Sequence, residues 1–175
     1  MLEIGYAFLS SLAFPQIAQI AQIDGDEVVD VLRVPGPSIM TISVTIGARA
    51  PAYATAPGRD LLAHLAADQL GVFLATTTFA KVLPRTIGDP DGLRAEVQRV
   101  RRRAGYTLVD LELEAELAAI AVPARDRVGR ARASINLSNH SGRCTARDLV
   151  ALVPALQAAA ADIEAELEHT NAWRT

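Results

Sequence analysis

The chain has one cysteine, three histidines and no excess of basic residues, and each shortage narrows what it can be. Cys144 alone cannot build an internal disulfide framework and offers no thiolate cluster for a metal. His64, His140 and His169 lie far apart with no metal-ligand spacing, so no metal and no cofactor is expected. No uninterrupted apolar run reaches membrane-spanning length. The alanine-rich stretch near the C-terminus carries Asp162, Glu164, Glu166 and Glu168, which mark a solvated helix, so no membrane partner is expected. Residues 2–12 contain Glu3 and lack a basic leading segment, which argues against a signal peptide. A reducing cytoplasm is the simplest compartment. The formal net charge is −3 and the pI near 5.6, whereas a free-standing nucleic-acid binder of this size would usually be basic. The chain by itself is therefore not expected to grip DNA. No internal repeat or low-complexity linker is visible.

What is present is a well-patterned folded chain. Its 175 residues are half apolar and 21% charged, enough for one domain with a proper core. Apolar residues at Leu2, Ile4, Phe8, Leu9 and Leu12 predict a helix over 2–14 with one broad apolar face, too short to stand alone. β-Branched runs predict strands over 28–34 and 39–46, joined by Pro35-Gly36-Pro37. Helices follow over 58–66 and 68–75, the second with Asp68 as its cap. Asp89-Pro90 opens another, ending near Gly105. Strands are predicted over 106–110, 117–123 and 130–138, the last two linked by the hairpin signal Asp126-Arg127-Val128-Gly129. Thr145 caps a long helix reaching about Glu168, which Pro154 should bend. Strands in hairpin-linked groups imply a mainly antiparallel sheet with helices packed on it, an α+β domain. The divisions are residues 1–20, an N-terminal helix, and 21–175, the main domain.

Residues able to carry chemistry are few. Asp110, Glu112, Glu114 and Glu116 alternate along a strand-like run, and the last three read as a solvated edge. Arg99, Arg101, Arg102 and Arg103 read as the wet face of a helix end, where cations suit the dipole. The most informative stretch is I-G-A-R-A-P-A-Y-A-T-A-P-G-R-D-L-L-A over 46–63. It reads as a strand end, a turn, a short strand and a helix that begins at Pro57, capped by Thr55 or Ala56. The N–H groups of Gly58, Arg59 and Asp60 would then be free to meet a carboxylate or phosphate.

That same stretch resembles the G-T-R-x-P-x-x-A-T-x-x-G-[RK]-x-L-L-A block of the effector-binding domain of IclR-family transcriptional regulators. L-E-I-G-Y-A-F-L-S-S-L over 2–12 is similar to the end of that family's linker helix, and residues 23–40 resemble its first hairpin. Pro84-Arg85-Thr86-Ile87 with Asp89-Pro90, and Gly105-Tyr106 with Val109-Asp110 and Glu112, match two further family motifs in order. The resemblance covers nearly the whole chain. It implies a GAF-like fold, a homodimer or tetramer, and DNA contact only through a winged helix-turn-helix N-terminal to the linker. One departure is that Ile20 runs straight into Ala21, roughly twenty residues short of the family pattern. Either an element is lost there or residues are missing, and the second is favoured because losing a sheet-covering helix would expose apolar surface.

Matched position by position, the resemblance implies an effector pocket at Met40 and Ile42, then Ala56, Pro57 and Gly58, then Asp110, and finally Asn136 and Ser138. A small organic acid would set its carboxylate at the helix start, with Asn136 and Ser138 as donors from one strand face and Met40 and Ile42 as an apolar wall. Asp110 would repel an anion unless it met a hydroxyl donor or Arg59, so a hydroxyl or keto group is expected beside the acid. Ala119 stands where many relatives have cysteine or serine, which makes the pocket more apolar there. Asn136 replaces a common serine. The wording around 50–55 and 136–140 is closest to the branch that governs catabolism of aromatic acids, so an aromatic acid or a ring-cleavage product leads. The reading is non-enzymatic. The alternatives are a small cytosolic α+β enzyme using Asp110 or His64 as a base, and a ligand-free dimerisation module whose pocket is filled by its own side chains.

Overall fold

The computed structural model describes residues 17–34, 46–103, 105–140, 142 and 144–169. The helix expected over 2–14, the Pro35-Gly36-Pro37 turn, Met40 and Ile42 lie outside those residues, as does the strand expected over 39–46 except for Ile46. Six strands form one antiparallel sheet: β1 Ile17–Asp24, β2 Glu27–Val34, β3 Arg49–Pro51, β4 Thr107–Asp110, β5 Leu117–Arg125 and β6 Ala131–His140. Their order is β3-β2-β1-β6-β5-β4. The helices are α1 Ala56–Ala63, α2 Ala67–Thr76, α3 Pro90–Arg102, α4 Ala146–Ala151 and α5 Val153–His169. This is the α+β architecture expected from the strand grouping.

Strand β1 departs from the sequence reading. The run I-A-Q-I-A-Q-I-D has apolar residues spaced as on a helix and none of the clean alternation of a half-buried strand. It is a central strand buried on both faces, paired with β2 and, across most of the chain length, with β6. The boundary drawn between residues 20 and 21 falls inside it. The β1–β2 hairpin turns at Gly25, whose φ of +66° suits a residue without a Cβ.

At the Ile20–Ala21 junction, where a discontinuity was expected, the strand runs on but its register with β2 shifts. Ile20 pairs with Leu32 and Ala21 with Asp30, leaving Val31 as an extra residue on β2. Because side chains alternate with a period of two, this bulge changes which face the rest of β2 presents. Val28 and Asp30 face α1; Leu32 and Val34 pack on the other side with α5.

The helices cover both faces. Under α4 and α5 lies a dry cluster that includes Ile20, Leu32, Ile120, Ile135, Leu137, Leu149 and Leu156. Under α1, α2 and α3 lies a second, with Tyr53, Leu61, Leu62, Leu93 and Val97. The helix signals read as anticipated at α3, where Asp89 Oδ1 accepts from the Gly92 N–H at 2.7 Å. Thr145 likewise caps α4, and the long C-terminal helix breaks at Leu152 just before Pro154. At α2 the cap is Ala66, whose N–H donates to Gln69 Oε1, and Asp68 stands in the first turn instead. Pro123 in β5 lies past the last β4 pairing, Thr107 with Ala121, so its missing N–H breaks no ladder there. Among the described residues no helix is long and apolar enough to cross a membrane.

Candidate functional site

Helix α1 starts one residue before Pro57, from Thr55 in an extended conformation. The Thr55 Oγ1 accepts from the Gly58 N–H at 3.2 Å, and the Thr55 carbonyl accepts from the Arg59 N–H at 3.1 Å. These two amides, expected to be free for a ligand, are therefore used by the cap. What the helix start still offers is its dipole and the Thr55 hydroxyl proton. Gly58 has a different purpose. A Cβ there would lie 2.2 Å from the Ala52 carbonyl oxygen and 2.4 Å from the Ala52 Cα, so only glycine lets α1 pack against the turn before it.

Ahead of that helix start the sheet and loops enclose a cavity of about 210 Å³. Its walls are mostly apolar: Val28 from β2, Ala54, Ala56 and Pro57 from the α1 entrance, Val109 from β4, Leu113 and Leu117 from the β4–β5 connection, and Ala119 from β5. Ala119 stands in the wall, so the apolar character expected there is placed in the cavity. Of the residues named from sequence, Ala56, Pro57, Asn136 and Ser138 line it. Gly58 and Asp110 do not, and Met40 and Ile42 lie outside the described residues.

A row of polar side chains crosses one wall, on three adjacent strands. Gln19 Nε2 donates to Asp30 Oδ2 at 2.8 Å, and Asn136 Nδ2 donates to Gln19 Oε1 at 3.0 Å and to Ser138 Oγ at 3.2 Å. Gln19, Asn136 and Ser138 are buried, and Asn136 Oδ1 has no hydrogen-bond partner among the described residues. Burial pushes the Asp30 carboxyl up to about 6, with Arg33 pulling the other way. Gln19 and Asp30 escaped the sequence reading. Their signal was a polar residue inside an apolar strand, at I-A-Q-I and V-V-D-V, which marks a buried polar group that must be satisfied.

Asp110 departs from its expected place because alternation along β4 puts Val109 on the cavity side and Asp110 on the other. Its carboxylate pairs with Arg85 at 2.7 Å. Arg59, offered as its partner, is fully buried and holds Glu112 in a two-pronged pair, while its Nε donates to the Tyr53 carbonyl at 2.6 Å. Glu112 is thus an internal anchor and not part of a solvated edge; its carbonyl also accepts from the Thr86 hydroxyl. The acidic strand ends at Asp110. Residues 111–116 turn back to β5, with Leu111 at φ +60° and its N–H donating to the Leu117 carbonyl. That turn brings Leu113 and Glu114 to the cavity mouth.

Neither base proposed for an enzyme reaches the cavity. The His64 ring lies between the Asp60 carbonyl and the Arg125 guanidinium. Among the described residues no group of histidine, cysteine and carboxylate side chains could hold a metal. The arginine run is also more structural than expected: Arg101 donates to the carbonyls of Ala63 and Leu65, closing the C-terminal end of α1.

The chain matches the family model for the bacterial transcriptional regulator IclR C-terminal domain over residues 10–165. It is 33% identical over 180 residues to the Pca regulon regulatory protein of Pseudomonas putida, covering 93% of this chain and 62% of that protein. That alignment is longer than this chain, so it contains gaps here. A crystal structure from Rhodococcus sp. RHA1, assigned to transcriptional regulation, superposes with a TM-score of 0.90 at 37% identity, over 97% of this chain and 70% of that one. The inducer-binding domain of PobR from Acinetobacter, solved as a double mutant with 3-hydroxybenzoic acid, superposes with a TM-score of 0.86 at 26% identity, over 94% and 97%. The chain spans about three-fifths of the length of the curated relatives it matches. Those relatives are regulators, in keeping with a non-enzymatic reading. The chain belongs to the IclR family of transcriptional regulators, as its C-terminal effector-binding domain.

Proposed function

We propose that the cavity ahead of α1 takes a monocyclic aromatic acid, and that its occupancy is the signal this domain senses. The observation that carries the reading is the cavity itself: about 210 Å³, not filled by side chains of the described residues, mostly apolar, and crossed by one buried polar row. A dry cavity of about 150 Å³ is known to hold benzene, so this volume suits one ring with a few substituent atoms. Among the described residues no side chain fills the cavity, which favours a ligand over a ligand-free dimerisation module. A single carboxylate fits at the Thr55 hydroxyl and the positive end of α1. A second would meet Asp30 or Glu114, while the nearby Arg49 is already paired with Asp24 and Glu27. This disfavours dicarboxylic ring-cleavage products. The aromatic class agrees with the hydroxybenzoic acid held by the PobR inducer-binding domain and with the kinship to a Pca regulon regulator.

In the whole cytoplasmic regulator, this domain would act on DNA only through a winged helix-turn-helix outside the present chain. The bound acid would shift the arrangement of a homodimer or tetramer and so the spacing of its DNA-reading heads. The net charge of −3 supports the absence of DNA affinity in the domain itself. Calorimetry with a panel of hydroxybenzoates, benzoate and aliphatic dicarboxylates tests the ligand class. Saturable one-to-one binding of aromatic monoacids is the expected result. Binding of the dicarboxylates alone would sink the aromatic reading.

A further inference from the structure

We infer that a carboxylate ligand enters the cavity together with a proton, which Asp30 takes from solvent, so that binding strengthens as the medium becomes more acid. The inference rests on the effector reading of the cavity and adds the proton that accompanies the acid. Asp30 and Glu114 both line the cavity, Asp30 partly buried on β2 and Glu114 exposed at the mouth. A cavity of about 210 Å³ cannot keep a ligand carboxylate at Thr55 far from Asp30. Two like charges in so small and apolar a space disfavour each other, and the lower-energy state is the one in which one of them is neutral.

The surroundings of Asp30 favour its protonation. From β1 it meets the neutral Gln19, whose Nε2 donates to Asp30 Oδ2 at 2.8 Å. Asn136 and Ser138 on β6 are neutral as well, and the α1 entrance contributes only Thr55, Ala56 and Pro57. On its own strand Arg33 holds the carboxyl down, but burial outweighs it and leaves Asp30 at about 6. Arg49 is the one basic residue among the described residues that line the cavity, and its guanidinium is held by Asp24 at 2.7 Å and Glu27 at 2.6 Å. The remaining charge in the wall, Glu114, has the same sign as the ligand. Residues 35–45 contain no charged side chain. Asp30 is thus close to neutrality at pH 7, and one more negative charge beside it tips the balance. A proton on Oδ1 leaves the Gln19 bond to Oδ2 intact, so the polar row survives the change. The charges balance: one anion and one proton enter, and the complex carries the net charge of the empty domain.

The test is calorimetry of the unaltered chain with benzoate and 3-hydroxybenzoate at pH 7, in buffers of different ionisation enthalpy, where the dependence of the heat on the buffer counts protons. Both acids stay ionised there, and benzamide is the uncharged control. A ligand that lifts Asp30 from about 6 to about 7 or beyond should bring in about 0.4 proton or more, and its affinity should fall about fivefold or more from pH 6 to pH 8. Benzamide should bring in none, with an affinity independent of pH. Asp30→Asn, checked for cooperative thermal unfolding, should bind the acids without proton uptake, and about fivefold or more tightly than the unaltered chain at pH 8. A merely structural role predicts the opposite, so weaker binding by the folded variant at pH 8 overturns the inference. Uptake that persists in Asp30→Asn and disappears in Asp60→Asn would put the proton on α1 and overturn it too. Binding of the acids by the unaltered chain with no proton taken up overturns it while leaving the effector reading standing. Binding of neither acid overturns both.

Discussion

The two faces of the sheet are built from the same strands and differ in almost everything else. Under α4 and α5 the buried residues are mostly aliphatic and continuous: Ile20, Ile120, Ile135 and Leu137 meet Leu149, Leu156 and Ile163. Under α1 the same strands turn up Gln19, Asp30, Ser134, Asn136 and Ser138, with Ala119 and Ala121 as the small residues that leave room. Alternation along each strand creates this division, and the bulge at Val31 assigns β2 to it. Without that extra residue, Leu32 and Val34 would fall on the polar face. One face holds the domain together; the other carries a hole lined in part by polar groups.

The largest expected effect comes from the seam where the cavity face meets its helix. Gly58→Val would drive a side chain into the backbone of Ala52, so α1 could not keep its place, and a loss of about 3 kcal/mol or more is expected in urea unfolding. Gly71→Ala in α2 is the control, since a Cβ there meets nothing within 4 Å. It should be neutral or stabilise by about 0.5–1 kcal/mol. Equal costs at the two glycines would break the argument that close approach, and not helix propensity, fixes Gly58.

Next come substitutions that separate the faces. Leu156→Ala removes a fully buried side chain from the dry face and should cost about 2–5 kcal/mol while leaving ligand affinity within about twofold. Ala119→Leu fills the cavity instead. It should abolish effector binding with a stability change below about 1.5 kcal/mol. If both variants lost stability and binding in the same proportion, the two faces would not be separable in function.

A pH-dependent effect tests how the cavity face tolerates its polar groups. Asp60 on α1 is wholly buried, accepts from the Ser134 hydroxyl at 2.7 Å, and has its carboxyl pushed up to about 7 by burial, against the pull of Ser134 and Arg125. An unfolded aspartate titrates near 3.9. The folded state therefore holds its proton more tightly, and this group's contribution to stability is full below about pH 4 and lost as pH rises to about 7. Asp60→Asn mimics the protonated form. Its advantage over the unaltered chain should be absent near pH 4, grow up to pH 7 and level off there, reaching on the order of 4 kcal/mol in thermal or urea unfolding. A gain independent of pH would mean that Asp60 does not titrate in the folded domain.

The sequence made the architecture legible wherever local chemistry decides the outcome. Asp89-Pro90, Thr145, Pro154 and the Asp126–Gly129 turn each act within a few residues, and each did what its chemistry requires. Strand β1 was not legible, because a strand buried on both faces has no alternation to read, and its partners on β6 lie more than a hundred residues away. The site was half legible for the same reason. Thr55, Ala56, Pro57, Asn136 and Ser138 sit at turns or in alternating register, whereas Gln19 and Asp30 enter the cavity through a bulge that no local pattern announces.

Asp110 gives the smallest and sharpest contrast. It was expected among the ligand contacts on its motif, yet its neighbour Val109 takes the cavity side of β4, and Asp110 is left with Arg85 at the surface. The two side chains are 36% and 60% exposed, a setting in which an ion pair is worth about 0–1 kcal/mol. Asp110→Asn should therefore change stability by less than about 1 kcal/mol, and less still in high salt. Its effect on hydroxybenzoate affinity should be within about twofold, because no ligand in the cavity touches it. Asp30→Asn, on the cavity side of β2, should by contrast change hydroxybenzoate affinity by about fivefold or more. A strong loss of binding in Asp110→Asn, with Asp30→Asn silent, would mean that the acid facing the ligand is the one on β4, and the assignment of the two faces would have to be reversed at that edge.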